Sequence, residues 1–143
     1  MFEQRVLHFG VLLIAILLIV GCGDARRQPL KGTVTVDGKP LRQGSITFRP
    51  QPGTRGPTAG ANVVDGRFEI DPKGGTFVGR FRVEINAMRP NRNRKVVNEM
   101  TGEVSEGWEQ YLPPRYNTQS ELEADVRENE LNVFEFTLST KNP

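Results

Sequence analysis

The 143-residue sequence holds a single histidine, His8, and a single cysteine, Cys22. Both lie near the start, so everything after residue 22 lacks imidazole and thiol. That excludes Ser-His-Asp and Cys-His nucleophiles, zinc bound through His or Cys, and disulfide cross-links within that part of the chain. Carboxylate pairs, a lysine nucleophile or an oxygen-ligand calcium site remain as chemistry. The acidic residues, however, fall into no spacing that serves them, and there is no D-x-D-x-D-G loop, G-x-x-x-x-G-K or G-x-G-x-x-G motif. The expectation is a protein without catalysis, cofactor or metal.

Long apolar runs are scarce too. The one present, Phe9 to Val20, has 12 residues. As a helix it would measure about 18 Å against a hydrocarbon core of about 30 Å, too short to span comfortably. Arg5 ahead of it, offset in part by Glu3, and its Leu, Ile and Val content make it an export signal. The run closes on Ile19-Val20-Gly21-Cys22, which lacks the A-x-A pattern of an ordinary cleavage site. These residues resemble the lipobox of bacterial lipoproteins, with Ile19 where Leu is commoner. The resemblance covers residues 1–22 and implies a lipoprotein signal peptide over 1–21, forming a signal helix. It also implies a diacylglyceryl thioether on Cys22, cleavage after Gly21 and attachment to a membrane through that lipid. Two acyl chains hold a protein stably where one holds it marginally. The competing reading is an ordinary thiol beside an uncleaved anchor. Gly23 stands where an acidic residue would suggest inner-membrane retention, since Asp24 comes one place later. The outer membrane is therefore favoured, with the domain facing periplasm or exterior.

Roughly 120 residues follow the signal, one domain's worth and enough for a core without cross-links. Residues 22–29 carry little apolar material and read as a tether; residues 30–140 read as the domain. There the hydrophobic period is two. Leu30, Val34 and Val36 alternate with Lys31, Thr33 and Thr35; Ile46 and Phe48 with Ser45, Thr47 and Arg49; Phe81, Val83 and Ile85 with Arg80, Arg82 and Glu84. Ala59, Ala61 and Val63, then Phe68 and Ile70, then Leu122, Ala124 and Val126, then Phe134, Phe136 and Leu138 continue the pattern. Asp37-Gly38 and Asp65-Gly66 supply hairpin turns, and Gly74-Gly75 a further turn. The expected fold is all-β: a seven-stranded antiparallel β-sandwich.

The stretches Gly32-Thr33-Val34-Thr35-Val36-Asp37-Gly38-Lys39-Pro40-Leu41, Gly44 to Phe48, Ala59 to Phe68 and Gly79 to Val83 resemble, within a span from Leu30 to Leu138, the carboxypeptidase regulatory-like, or transthyretin-like, β-sandwich. A late Leu-Pro-x-x-Tyr-Asn, here Leu112, Pro113, Tyr116 and Asn117, is shared with short bacterial lipoproteins of this kind. The resemblance implies an Ig-like accessory or structural domain with no catalytic residues to carry over. The segment Met88 to Glu109 departs from it, being long and highly charged.

Charge is segregated along the chain. Residues 22–95 carry 15 basic against 6 acidic side chains, and residues 96–143 carry 3 against 10. Arg89, Arg92, Arg94 and Lys95 are candidate contacts for an anionic surface, but the preferred reading is a solvated loop whose basic and acidic arms neutralise each other. A net charge of only +2 and an exported location argue against nucleic acid. Trp108, Tyr111 and Tyr116 are candidate ligand-binding aromatics for stacking on sugar rings, or else caps on an open end of the fold. Asp37, Asp65 and Asp71 are read as turn residues in preference to a calcium site. The function expected is structural or protein-interacting at the cell envelope; the alternative is a glycan-binding module at the cell surface.

Overall fold

The computed structural model describes residues 26–128 and 130–141. The signal segment 1–21, Ile19, Val20, Gly21 and Cys22, and the first part of the tether lie outside the described residues. Ten strands follow in order: β1 (Leu30–Val36), β2 (Lys39–Pro40), β3 (Gln43–Pro50), β4 (Ala59–Val64), β5 (Arg67–Ile70), β6 (Gly79–Asn86), β7 (Met88–Val97), β8 (Val104–Gln110), β9 (Leu122–Val126) and β10 (Asn132–Leu138). A 3-10 turn, Pro114–Tyr116, lies between β8 and β9. The main sheet runs β10-β1-β5-β4-β3-β6-β9 with β2 beside β1, while β7 and β8 form a separate two-stranded sheet.

The alternation read from sequence places the core. Leu30, Val34, Ile46, Phe48, Val63, Phe68, Ile70, Phe81, Val83, Ile85, Val126 and Leu138 are all buried on one face of the main sheet, and the intervening Lys31, Arg49, Arg67, Glu69, Arg80, Arg82, Glu123 and Asp125 are exposed. In a flat sheet Phe134 on β10 and Phe48 on β3, four strand positions apart, would stand about 19 Å from each other. Their ring centroids are 5.8 Å apart. The sheet therefore curls over on itself like a half-barrel, so that β10, β1 and β5 face β3 across the core. Phe48, Phe68, Phe136 and Phe134 close a ring of tilted and stacked contacts at centroid spacings of 5.8 to 6.4 Å, geometry that adds about 0.5–1.5 kcal/mol per pair beyond area burial.

Two expectations are corrected. The sheet is not wholly antiparallel: β1 and β10 run parallel from Leu30↔Asn132 to Val36↔Leu138. A period of two tells which face a residue occupies but not the direction of its neighbour, so this pairing left no mark in the pattern. The strands also number ten and not seven among the described residues, because Lys39–Pro40 pairs with β1 as β2 and the charged segment expected as a loop is paired as β7 and β8. It buries almost nothing on either face and so carries no alternating signal.

Gly32 is what permits the parallel pair. A Cβ at this position would lie 1.9 Å from the carbonyl oxygen of Phe134, so any larger residue would push β10 away. The Asp-Gly turns are as expected: Asp37 and Gly38 have φ of 50° and 78°, Asp65 and Gly66 of 47° and 76°, the two successive left-handed residues of a type I′ hairpin. Asp37 has a second role. Its carboxylate accepts hydrogen bonds from the Thr140 backbone N–H at 3.0 Å and hydroxyl at 2.6 Å, clasping the residues after β10. The late Leu-Pro-x-x-Tyr-Asn stretch is likewise structural. Leu112 is buried, Asn117 Nδ2 donates to the carbonyls of Leu112 and Pro113, and the Tyr116 hydroxyl accepts from the Ser139 N–H at 3.1 Å.

Truncating Phe48 to alanine opens the centre of the ring cluster and should cost about 3–5 kcal/mol in chemical denaturation. The Thr140 hydrogen bonds hold the Asp37 carboxyl below the usual carboxylate range. The clasp is therefore fully formed above the unfolded-state value of about 3.9 and is lost as pH falls through the lower folded value. In an NMR titration, Thr140→Ala should move the Asp37 midpoint upward toward that ordinary value.

Candidate functional site

Strands β7 and β8 form an arm built from a basic strand and an acidic one. Arg89 stands opposite Glu109 and Lys95 opposite Glu106, with the register shifting between Asn91 and Lys95. Arg89 Nε donates to Glu109 at 2.6 Å, and Asn91 donates to the other oxygen of the same carboxylate at 2.7 Å. At the far end Asn98 closes the turn: its side-chain oxygen accepts from the Met100 N–H at 3.0 Å, and its carbonyl from the Gly102 N–H at 2.7 Å. At the root, Gln110 is the fastening. Its carbonyl accepts from the N–H groups of Ala87 at 3.0 Å and Leu112 at 3.2 Å, while its amide donates to the Asn86 side chain at 2.8 Å. One side chain thus joins the end of β6 to both ends of the arm.

This fastening leaves two adjoining open grooves between the arm and the main sheet, with Trp108 and Met88 on the wall of both. The smaller, of 340 Å³, is floored by Gln43, Gly44, Ser45 and Asn86. The larger, of 670 Å³, takes in Lys39, Pro40, Arg42, Val64, Arg89 and Tyr111. Trp108 is 56% exposed and Met88 50%. An exposed indole and thioether beside amides, a hydroxyl and three cations suit a ligand with an apolar face and hydrogen-bonding or anionic edges.

The three aromatics singled out from sequence do not share a face. Trp108 lies on the arm and lines both grooves; Tyr111 lines the larger one, with the Arg89 guanidinium 5.5 Å from its ring centre. Tyr116 packs against the core with the Arg115 guanidinium 4.9 Å from its ring centre. The four cations also divide. Arg89 is ion-paired to Glu109, and Arg94 lies over Gly107 and reaches the Trp108 carbonyl at 3.5 Å. Arg92 and Lys95 are exposed, with no carboxylate within 4 Å among the described residues. Asp37 and Asp65 occupy their turns at one end of the sheet, whereas Asp71, at the other end of β5, accepts from the Gly74 N–H at 2.8 Å. Met88, Gln43, Lys39, Arg42 and Gln110 were not singled out from sequence. Nothing in their local spacing marks them, since it is the arm's fold-back that brings them together.

Opposite charges meet elsewhere too. Arg80 and Arg82 on β6 stand opposite Asp125 and Glu123 on β9, and Arg80 bonds Glu123 at 2.9 Å. Glu84, the least exposed ion-paired carboxylate at 13%, lies between Arg49 at 2.7 Å and Arg82 at 2.8 Å. Desolvation raises its pKa, but the hydrogen bonds from the two guanidiniums outweigh this and hold it below the ordinary glutamate value.

No family model matches the sequence, and no curated protein matches it. Among solved structures, a 9R-lipoxygenase from Cyanothece PCC8801 is similar at 15% identity and a TM-score of 0.33, over 85% of this chain and 17% of that one.

Because Trp108 is mostly exposed, Trp108→Ala should change unfolding free energy by no more than about 0.5 kcal/mol. Gln110→Ala strands buried backbone donors and should cost about 1–3 kcal/mol. Hydrogen exchange should show the loss as faster exchange of the Ala87, Tyr111 and Leu112 amides.

Proposed function

We propose that this chain is a lipid-anchored cell-envelope protein whose transthyretin-like β-sandwich domain has a structural or protein-interaction role without catalysis. The observation that carries this reading is Ile19-Val20-Gly21-Cys22 closing a 12-residue apolar run ahead of the domain. A curled, all-β sheet with type I′ Asp-Gly turns is consistent with the resemblance on which the rest of the reading depends. The grooves at the arm's root are the proposed contact surface, since they combine exposed apolar side chains with cations and amides in one place. Under this reading the domain faces the periplasm or exterior, the outer membrane being the favoured support.

Glycan binding is the second reading, and one observation favours it. Trp108 stands beside Gln43, Ser45 and Asn86 in the smaller groove, an aromatic edge with amide and hydroxyl neighbours that could meet a sugar ring. Tyr116, half-buried against the core as Tyr111 is, lines neither groove, which narrows this platform to Trp108 and Tyr111.

Mass spectrometry of the native protein's N-terminus tests the principal reading: the expected species begins at Cys22 and carries a diacylglyceryl mass that Cys22→Ser abolishes. An unmodified cysteine on a chain still starting at Met1 would overturn it. Retention on a polysaccharide column that Trp108→Ala removes, with thermal stability unchanged, would select the glycan reading over protein contact.

A further inference from the structure

If Cys22 carries lipid, the fold determines which end of the domain meets the bilayer. Cys22 is four residues from Arg26, which at most about 14 Å of extended chain can span. From there the chain is already fixed to the domain. The Arg27 guanidinium donates to the Lys73 carbonyl at 2.8 Å, and the Gln28 N–H to the Thr76 carbonyl at 2.6 Å, with Gln28 itself buried. The backbone fits there because residue 75 is glycine: a Cβ on it would stand 2.1 Å from the Gln28 carbonyl oxygen. The expected tether of eight residues is therefore docked over its second half, and little free chain separates the lipid from this end of the sheet.

The same end gathers cations. Arg26, Arg27 and Lys73 are exposed there, and the loop carrying exposed Arg55 is tied to it by the Thr76 hydroxyl donating to the Pro57 carbonyl at 2.7 Å. None of the four has a carboxylate within 4 Å among the described residues, whereas Arg49, Arg80, Arg82, Arg89 and Arg127 all do. Of the acids at this end among the described residues, Asp71 is turned onto the Gly74 N–H, Asp125 and Glu130 lie 3.3 and 3.9 Å from Arg127, and Glu69 stands opposite Lys31, which leaves Glu128. Leu131, 80% exposed, borders Pro29 and Leu30 beside the docked chain. The grooves and the arm's root lie at the opposite end of the strands, about 25 Å away along the eight residues of β3.

We infer that the tether end of the sheet is a membrane-facing surface, with Arg26, Arg27, Arg55 and Lys73 against anionic lipid headgroups and Leu131 at the interface, so that the grooves are held on the side away from the bilayer. The inference rests on the lipid-anchor reading. It also transfers the anionic-surface role from Arg89, Arg92, Arg94 and Lys95, which belong to the arm, to cations that the sequence scatters over 48 positions. Basic residues beside a lipid anchor supply the second attachment that fixes orientation.

The full-length processed protein tests this, because an acylated Cys22 leaves any introduced cysteine as the one free thiol. Leu131→Cys and Lys39→Cys, at opposite ends of the strands, are each labelled with an environment-sensitive fluorophore and reconstituted into vesicles of phosphatidylcholine with about one-third phosphatidylglycerol, carrying a headgroup quencher. Quenching at position 131 should exceed that at position 39 several-fold. Combining Arg26→Gln, Arg27→Gln and Lys73→Gln, or making Arg55→Gln alone, which breaks no side-chain hydrogen bond or ion pair among the described residues, should reduce it without altering flotation; phosphatidylcholine alone should do the same. Equal quenching at the two positions, or no response to the charge changes, overturns the orientation while leaving the anchor standing. A wild-type chain that takes up the thiol label and does not float overturns the anchor, and the orientation with it.

Discussion

The parallel contact between β1 and β10 is the constraint on which the rest of this molecule depends. It joins the first strand of the domain to the last across seven register pairs, and it requires a residue without a side chain at Gly32 so that the two backbones can approach. Once β10 is in place, Phe134 and Phe136 reach over the core to Phe48 and Phe68, and the curl of the sheet is fixed. The same contact brings Thr140 to Asp37 and Ser139 to Tyr116. A contact between residues so distant in sequence carries a large loop-closure cost, which the buried aromatic surface offsets.

Electrostatics follows the same logic of distant partners. The chain is basic through its first two-thirds and acidic afterwards, yet the folded molecule does not have a basic half and an acidic half. β7 pairs with β8, and β6 with β9, so basic strands lie beside acidic ones. Cross-strand pairs of opposite charge add about 0.2–1 kcal/mol each and disfavour registers that would oppose like charges. In the arm this matters most, because little hydrophobic burial is present to set its register.

Inward positions were legible wherever a strand has one wet and one dry face. Leu30, Phe48, Val83, Ala124 and Leu138 could be assigned from parity alone, and both Asp-Gly turns from local chemistry. The arm escaped the same reading because both of its faces are exposed, which erases the alternation. Of the grooves, only Trp108, Tyr111 and Arg89 were legible, as conspicuous side chains. Gln43, Arg42 and Met88 join them only when the fold-back at Ala87 and the Gln110 fastening bring residues some 45–65 positions apart against one another.

Sequence by itself determined the strand faces, the turns, the exclusion of imidazole and thiol chemistry from the domain, and the motif at Cys22, because each is a property of neighbouring residues. Tertiary structure alone decided that β1 and β10 run parallel, that Trp108 and Tyr111 line the grooves while Tyr116 does not, and that Arg27 and Lys73 meet beside the docked tether. Those outcomes depend on which distant backbones come within hydrogen-bonding reach, and a local pattern of period two does not specify that.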